Sequence, residues 1–237
     1  MARRLPVAPE LEQVDWPLVA ARMQWRQGEH VSLIGPTGGG KTTLELSLLA
    51  QRAYVAVLGC KPDDDVLPGL LRHGYKPATA LPERGNPPRV LIWPKYDATA
   101  AARERQRTIF EDVLGQAFRA GSWCVVADEV SYIVRRLRLE EPLLDLWEQG
   151  RSNKCSLVAA TQRPRWVPVT MYSSATHLFL WRTNEADDLR RLGGMNGVDP
   201  DPIRAAVASL RKFQALYVNT RTGDMFRTMA PREITPS

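Results

Sequence analysis

Eight residues, Gly35–Thr42, read GPTGGGKT. Gly35, Gly38, Gly39 and Gly40 leave the backbone free to turn several N–H groups onto one anion. An apolar run, His30–Ile34, precedes them, and a helix-forming segment, Thr43–Arg52, follows. The first turn of that helix has unpaired N–H groups that also favour phosphate. Strand, glycine loop and helix in this order are the context of a nucleotide-binding P-loop. Lys41 is then expected to reach the β- and γ-phosphates, and Thr42 to place its hydroxyl on Mg²⁺. Thr43 completes the loop residues expected at the nucleotide. A glycine turn with a surface lysine gives no reason for four glycines ahead of a helix.

Phosphate chemistry of this kind needs acidic partners. Trp123–Ala127, WCVVA, reads as a buried strand, and it ends in Asp128-Glu129. Asp128 is expected to hold Mg²⁺, through water. Glu129 is expected to orient and polarise the attacking water as general base. The second carboxylate argues for hydrolysis and against a nucleotide kinase. A third strand, Ser156–Ala160, is followed by Thr161-Gln162-Arg163-Pro164. Gln162 is the candidate γ-phosphate sensor; the alternative is that Thr161 and Gln162 only cap the strand.

The elements that must position these groups alternate. Tyr54–Leu58 and Arg89–Trp93 read as strands, Val66–His73 as a short helix, and Ala98–Ala120 as a long one. Residues 74–89, rich in proline and glycine, read as loop. Pro142–Gln149 reads as a helix with Pro142 in its first turn. Thr176–Trp181 is a strand, Glu185–Leu192 and Ile203–Leu210 are helices, and Phe213–Val218 with Asp224–Thr228 form a β-hairpin. The expected fold is α/β: a P-loop NTPase with a RecA-like, mainly parallel sheet flanked by helices and a C-terminal β-hairpin. At least one strand, Tyr54–Leu58, with Arg89–Trp93 as a candidate second, lies between the two motifs, which suits the class in which a strand separates the P-loop strand from the Asp-Glu strand. One domain is expected over 1–237, with 1–29 as a lead-in and 230–237 as a flexible tail. Trp16 and Trp25 in the lead-in are expected to pack on the outside of the sheet; the alternative is that they cover the base of the nucleotide. No NKxD-like guanine-reading motif is present, which argues against a GTPase.

A chain of 237 residues can bury one good core. Its formal net charge of +6 suggests a polyanion partner. Cys60, Cys124 and Cys155 show neither metal-like nor disulfide-like spacing and read as reduced, structural residues in a cytosolic setting. His30, His73 and His177 also lack metal-ligand spacing. No apolar stretch is long enough to span a membrane, and the N-terminus lacks the apolar core of a signal peptide.

Glu148-Gln149-Gly150-Arg151, the strand Cys155–Ala160 and the TQRP of Thr161–Pro164 together resemble the fourth-core-strand segment of HerA/FtsK-type DNA-pumping ATPases. That family has a GR element before the strand and a TQRP-like element after it. It includes chromosome translocases, conjugation ATPases and genome-packaging ATPases of membrane-containing viruses. The resemblance covers roughly residues 28–182. It implies ATP and Mg²⁺ as cofactors and supports Gln162 as the sensor. It makes Arg151 an arginine finger for a neighbouring subunit's nucleotide; the alternative is a solvent-facing helix-terminus arginine. A trans finger implies a homo-oligomeric ring, hexameric in the family, around double-stranded DNA. The chain lacks the extra barrel, membrane and DNA-reading domains of the larger relatives. It is closest in form to the small viral packaging ATPases, which implies a portal or membrane-vertex partner and a place in the host cytoplasm or at the virion vertex. Arg135, Arg136 and Arg138, after the Asp-Glu pair, and Arg163 and Arg165, after the sensor, are candidate contacts to DNA phosphates. Competing roles are phage assembly or secretion, plasmid mobilisation, and an ATP-dependent switch without DNA pumping.

Overall fold

The computed structural model describes residues 10–83, 86–183, 188 and 200–231. Its centre is a sheet of nine described strands. In chain order they are β1 (Val31–Ile34), β2 (Val55–Leu58), β3 (Lys76–Ala78), β4 (Arg89–Ile92), β5 (Cys124–Ala127), β6 (Ser156–Thr161), β7 (His177–Trp181), β8 (Gln214–Asn219) and β9 (Met225–Met229). They lie side by side as β3-β4-β2-β5-β6-β1-β7-β8-β9. The first seven are mutually parallel, and the β8–β9 hairpin adds antiparallel at the β7 edge. One strand separates the P-loop strand β1 from the Asp-Glu strand β5, as the class requires, but it is β6; Tyr54–Leu58 and Arg89–Trp93, which precede the Asp-Glu strand in the chain, lie beyond β5 as β2 and β4.

The strands are continuous apolar runs because both faces are covered. Every residue of β1, β2, β5, β6 and β7 is buried. Alternate side chains enter two cores. In β5, Val125 and Ala127 face one, and Cys124 and Val126 face the other. The first core is closed by α4 (Ala100–Ala120), α5 (Val130–Arg135), α6 (Glu140–Gln149), α7 (Thr170–Ser173) and α8 (Pro200–Ser209). The second is closed by α1 (Trp16–Met23), α2 (Lys41–Leu48) and α3 (Leu67–Arg72). Phe110, Val113, Leu114 and Ala117 of α4 recur at helical spacing and are all fully buried.

The structure corrects four readings. Residues 74–89 are not wholly loop: Lys76–Ala78 pairs with β4 as the edge strand. Pro77 hid it, because proline lacks a ladder donor and is tolerated only where one side is unpaired. The lead-in holds α1, with Pro17 in its first turn. A short helix, α5, follows Glu129 directly. The long helix begins at Ala100, where the Thr99 side chain accepts a hydrogen bond from the Ala102 N–H. Trp25 is buried as expected, its N–H bonded to the Glu29 carbonyl and the Arg52 guanidinium 3.6 Å from its ring centroid. All three cysteines are free and buried. The helix expected over Glu185–Leu192 and the C-terminal tail fall almost wholly outside the described residues. Among the described residues no helix is long and apolar enough to cross a membrane.

Two histidines support the sheet at the end away from the glycine loop. His30 accepts from the Leu157 N–H and stacks on Trp147, with ring centroids 4.7 Å apart. The ring nitrogens of His177 lie 2.8 Å from the Tyr217 hydroxyl and 3.1 Å from the Glu29 carboxylate. Burial pushes both imidazoles down to about 4, so both are neutral at pH 7.

Candidate nucleotide-binding site

The C-terminal ends of β1, β5 and β6 bring the expected groups together. Gly35–Gly40 leaves β1 and turns into α2. Gly40 stands at the helix start with φ +90°, a conformation that L side chains rarely adopt. Gly35 needs its missing side chain for another reason. A Cβ there would stand 2.4 Å from the Cβ of Trp181, the last residue of β7, so the loop rests directly on that buried tryptophan. Lys41 folds back across the loop, with Nζ 2.7 Å from the Gly35 carbonyl and 2.9 Å from the Pro36 carbonyl. Burial lowers its pKa, against the pull of Glu129 and Asp128.

Thr42 and Asp128 face each other, with the hydroxyl 3.4 Å from Oδ1. A hydroxyl and a single carboxylate fit Mg²⁺, which takes few protein ligands and completes its shell with phosphate oxygens and water. Among the described residues no group of three or more His, Cys, Asp or Glu side chains forms a metal cage.

Glu129 stands immediately before α5 and is held on both oxygens. Ser131 donates to Oε1 at 2.5 Å, and the Gln162 amide donates to Oε2 at 3.0 Å. Burial raises its pKa above the ordinary carboxylate value, and these two donors restrain the rise. Gln162 therefore does more than end β6: it joins the Glu129 carboxylate to the strand beside the P-loop.

Two charged residues at this site were not read from the sequence. The Lys61 ammonium lies 3.4 Å from Asp128 Oδ2 and 3.5 Å from Asp64 Oδ2. Burial works against its charge, but Asp128 and Asp64 outweigh burial and its pKa rises. The signal was the sheet order: β2 adjoins β5, so the KPDDD turn after β2 must fall beside Asp128. Glu45, one turn along α2 from Lys41, is 1% exposed, and neither carboxyl oxygen has a hydrogen-bond partner. Burial, reinforced by Asp128, drives its pKa well above the ordinary carboxylate value.

The remaining candidates separate. Arg135, from the last turn of α5, meets Arg163 and Arg165 around the exposed ring of Trp166, at 4.9, 5.9 and 5.5 Å from its centroid. Arg163 also pairs with Asp188 at 3.6 Å. Arg136 and Arg138 are exposed and lie outside this cluster as described. Arg151 sits at the other end of the sheet. Its backbone lies against Gly28, ahead of β1, and the six residues of β6 separate it from Gln162. Such a strand spans roughly 20 Å, so Arg151 does not join the other groups within one chain.

Neither a protein-family model nor a curated protein matches the sequence. Solved structures do match the fold. The genome-packaging NTPase B204 of Sulfolobus turreted icosahedral virus 2, in complex with ATP-γ-S, superposes with a TM-score of 0.63 at 14% identity, over 86% of this chain and 98% of that one. The DNA-packaging ATPase B204 of Sulfolobus turreted icosahedral virus gives 0.61 at 14% identity, over 86% and 98%. VirB4 of Thermoanaerobacter pseudethanolicus gives 0.63 at 10% identity, over 85% and 89%. The chain thus shares the fold of these packaging ATPases and of VirB4, in keeping with the resemblance carried by the GR element and the TQRP of Thr161–Pro164.

Proposed function

We propose that this protein is an ATPase whose hydrolysis drives double-stranded DNA, with viral genome packaging as its setting. One observation carries the ATPase reading: the Thr42–Asp128 pair and the Glu129–Gln162 pair meet at the mouth of a glycine loop built for phosphate. Lys41 exchanges its two loop carbonyls for phosphate oxygens. Mg²⁺, held by Thr42 and Asp128, would neutralise charge on the transferring phosphoryl group. Glu129, fixed in place by its two donors, accepts the proton of the attacking water. Gln162 registers the γ-phosphate and passes its loss to Glu129. Arg151 is out of reach of its own loop and serves the nucleotide of a second copy, which makes the working form a ring. A portal or vertex protein would give that ring its place and direction.

The DNA reading rests on the arginine cluster. Arg135 follows Glu129 by one short helix, and Trp166 follows Gln162 by four residues. Both segments start from the hydrolytic pair, so a shift in that pair displaces the cluster against backbone phosphates. ATP hydrolysis measured with and without long double-stranded DNA, at low and moderate salt, tests this. Stimulation that falls with salt, and that falls again in Trp166→Ala and Arg165→Ala, supports a DNA motor. Turnover indifferent to DNA moves the protein to a secretion or switch ATPase.

A further inference from the structure

The glycine loop accounts for phosphates only. No residue named so far touches a base. The γ-phosphate end of a bound nucleotide points to Glu129 and Gln162, on the β5–β6 side of β1. The nucleoside must therefore leave on the other side, toward β7, β8 and β9. The antiparallel register places the start of β8 and the end of β9 at the same end of the sheet as the loop: Ala215 pairs with Trp181, and Gln214 with Met229.

Phe213 stands there, immediately before β8. It is 45% exposed and has φ +66°, the left-handed region that a bulky residue rarely enters. A four-residue turn holds it so: the Gln214 N–H donates to the Arg211 carbonyl at 3.1 Å, and the Arg211 N–H to the Gln214 side chain at 2.9 Å. A Cβ on Gly40 would lie 3.9 Å from the Phe213 ring and 3.2 Å from the Ala230 methyl. Lys212 sets its ammonium 5.0 Å from the ring centroid. Strain and exposure together give the fold little, and such positions gather at ligand sites.

We propose that Phe213, with Ala230 beside it, is the stacking platform for the purine base of the bound nucleoside triphosphate. The inference rests on the ATPase reading and deepens it. A ring takes the base by its face, without a hydrogen-bond code, which accounts for the absence of a base-reading motif.

Calorimetric titration with Mg·ATP and, separately, with Mg·tripolyphosphate tests it. Phe213→Gly removes the ring while keeping the positive φ free of strain. It is expected to weaken ATP about tenfold, the size of one base–aromatic stack, and to leave tripolyphosphate unchanged. Phe213→Tyr, which keeps the face, is expected to bind both as the wild type does. Equal losses for the two ligands would mean that the ring only props the loop, and unchanged ATP binding would place the base elsewhere; either overturns the proposal. A wild-type protein that binds neither ligand overturns the ATPase reading itself, and this inference with it.

Discussion

Glu129 is held by Ser131 and Gln162 in a site that burial makes hostile to its charge. Glu129→Gln keeps the shape and loses the base. Turnover is expected to fall about 10²–10⁴-fold, with Mg·ATP binding retained, as steady-state rates and calorimetry on the same sample will show. Ser131→Ala takes away a donor that favours the charged form. The Glu129 pKa then rises further, so the acid limb of the kcat–pH profile moves to higher pH; a limb that stays put would exclude Glu129 as its source. The two buried histidines bear on stability instead. Their folded values of about 4 lie below an unfolded value of about 6.5. Between those values the unfolded chain binds more protons. Stability is therefore complete above pH 6.5 and drains away as the pH falls toward 4. Urea unfolding is expected to lose up to about 3 kcal/mol between pH 6.5 and 5, before most carboxylates titrate.

Among the elements, α4 is the main cover of one core, and two substitutions separate its packing from its capping. Phe110→Ala empties a fully buried site and is expected to cost about 3–5 kcal/mol. Thr99→Ala removes only the helix cap and is expected to cost about 1 kcal/mol. Denaturation midpoints should rank them in that order. The sequence made β1, β2, β5, β6 and β7 readable because a strand buried on both faces needs an unbroken apolar run. It concealed α5, whose Val130, Ile133 and Val134 are β-branched and favour strands. It made Lys41, Thr42, Asp128, Glu129 and Gln162 legible as candidates because each stands in a local pattern, the first two at the helix start after the glycine loop and the other three just past strand ends. Lys61 and the Trp166 cluster were hidden because they arise from strand order and from residues about 30 positions apart. Local spacing carries no information about which strands become neighbours.

At the scale of the molecule, seven parallel strands give the protein two unlike ends. The nucleotide groups occupy one end, and Arg151 the other. Arg151→Ala is expected to abolish hydrolysis while that chain still binds ATP. Mixing it with Lys41→Ala, inactive for the opposite reason, should restore turnover, because one supplies the site and the other the finger. No recovery on mixing would return Arg151 to a structural role at the terminus of α6. The two-ended layout also decides which associations count. A two-fold pair with its axis along the strands sets the site beside the site and the finger beside the finger, and completes neither. Unlike ends meet only in a head-to-tail ring or in a pair whose two-fold axis runs across the strands, and either needs a second copy. Specific activity should then climb steeply with protein concentration and disappear on dilution, even while every chain remains folded and loaded with nucleotide.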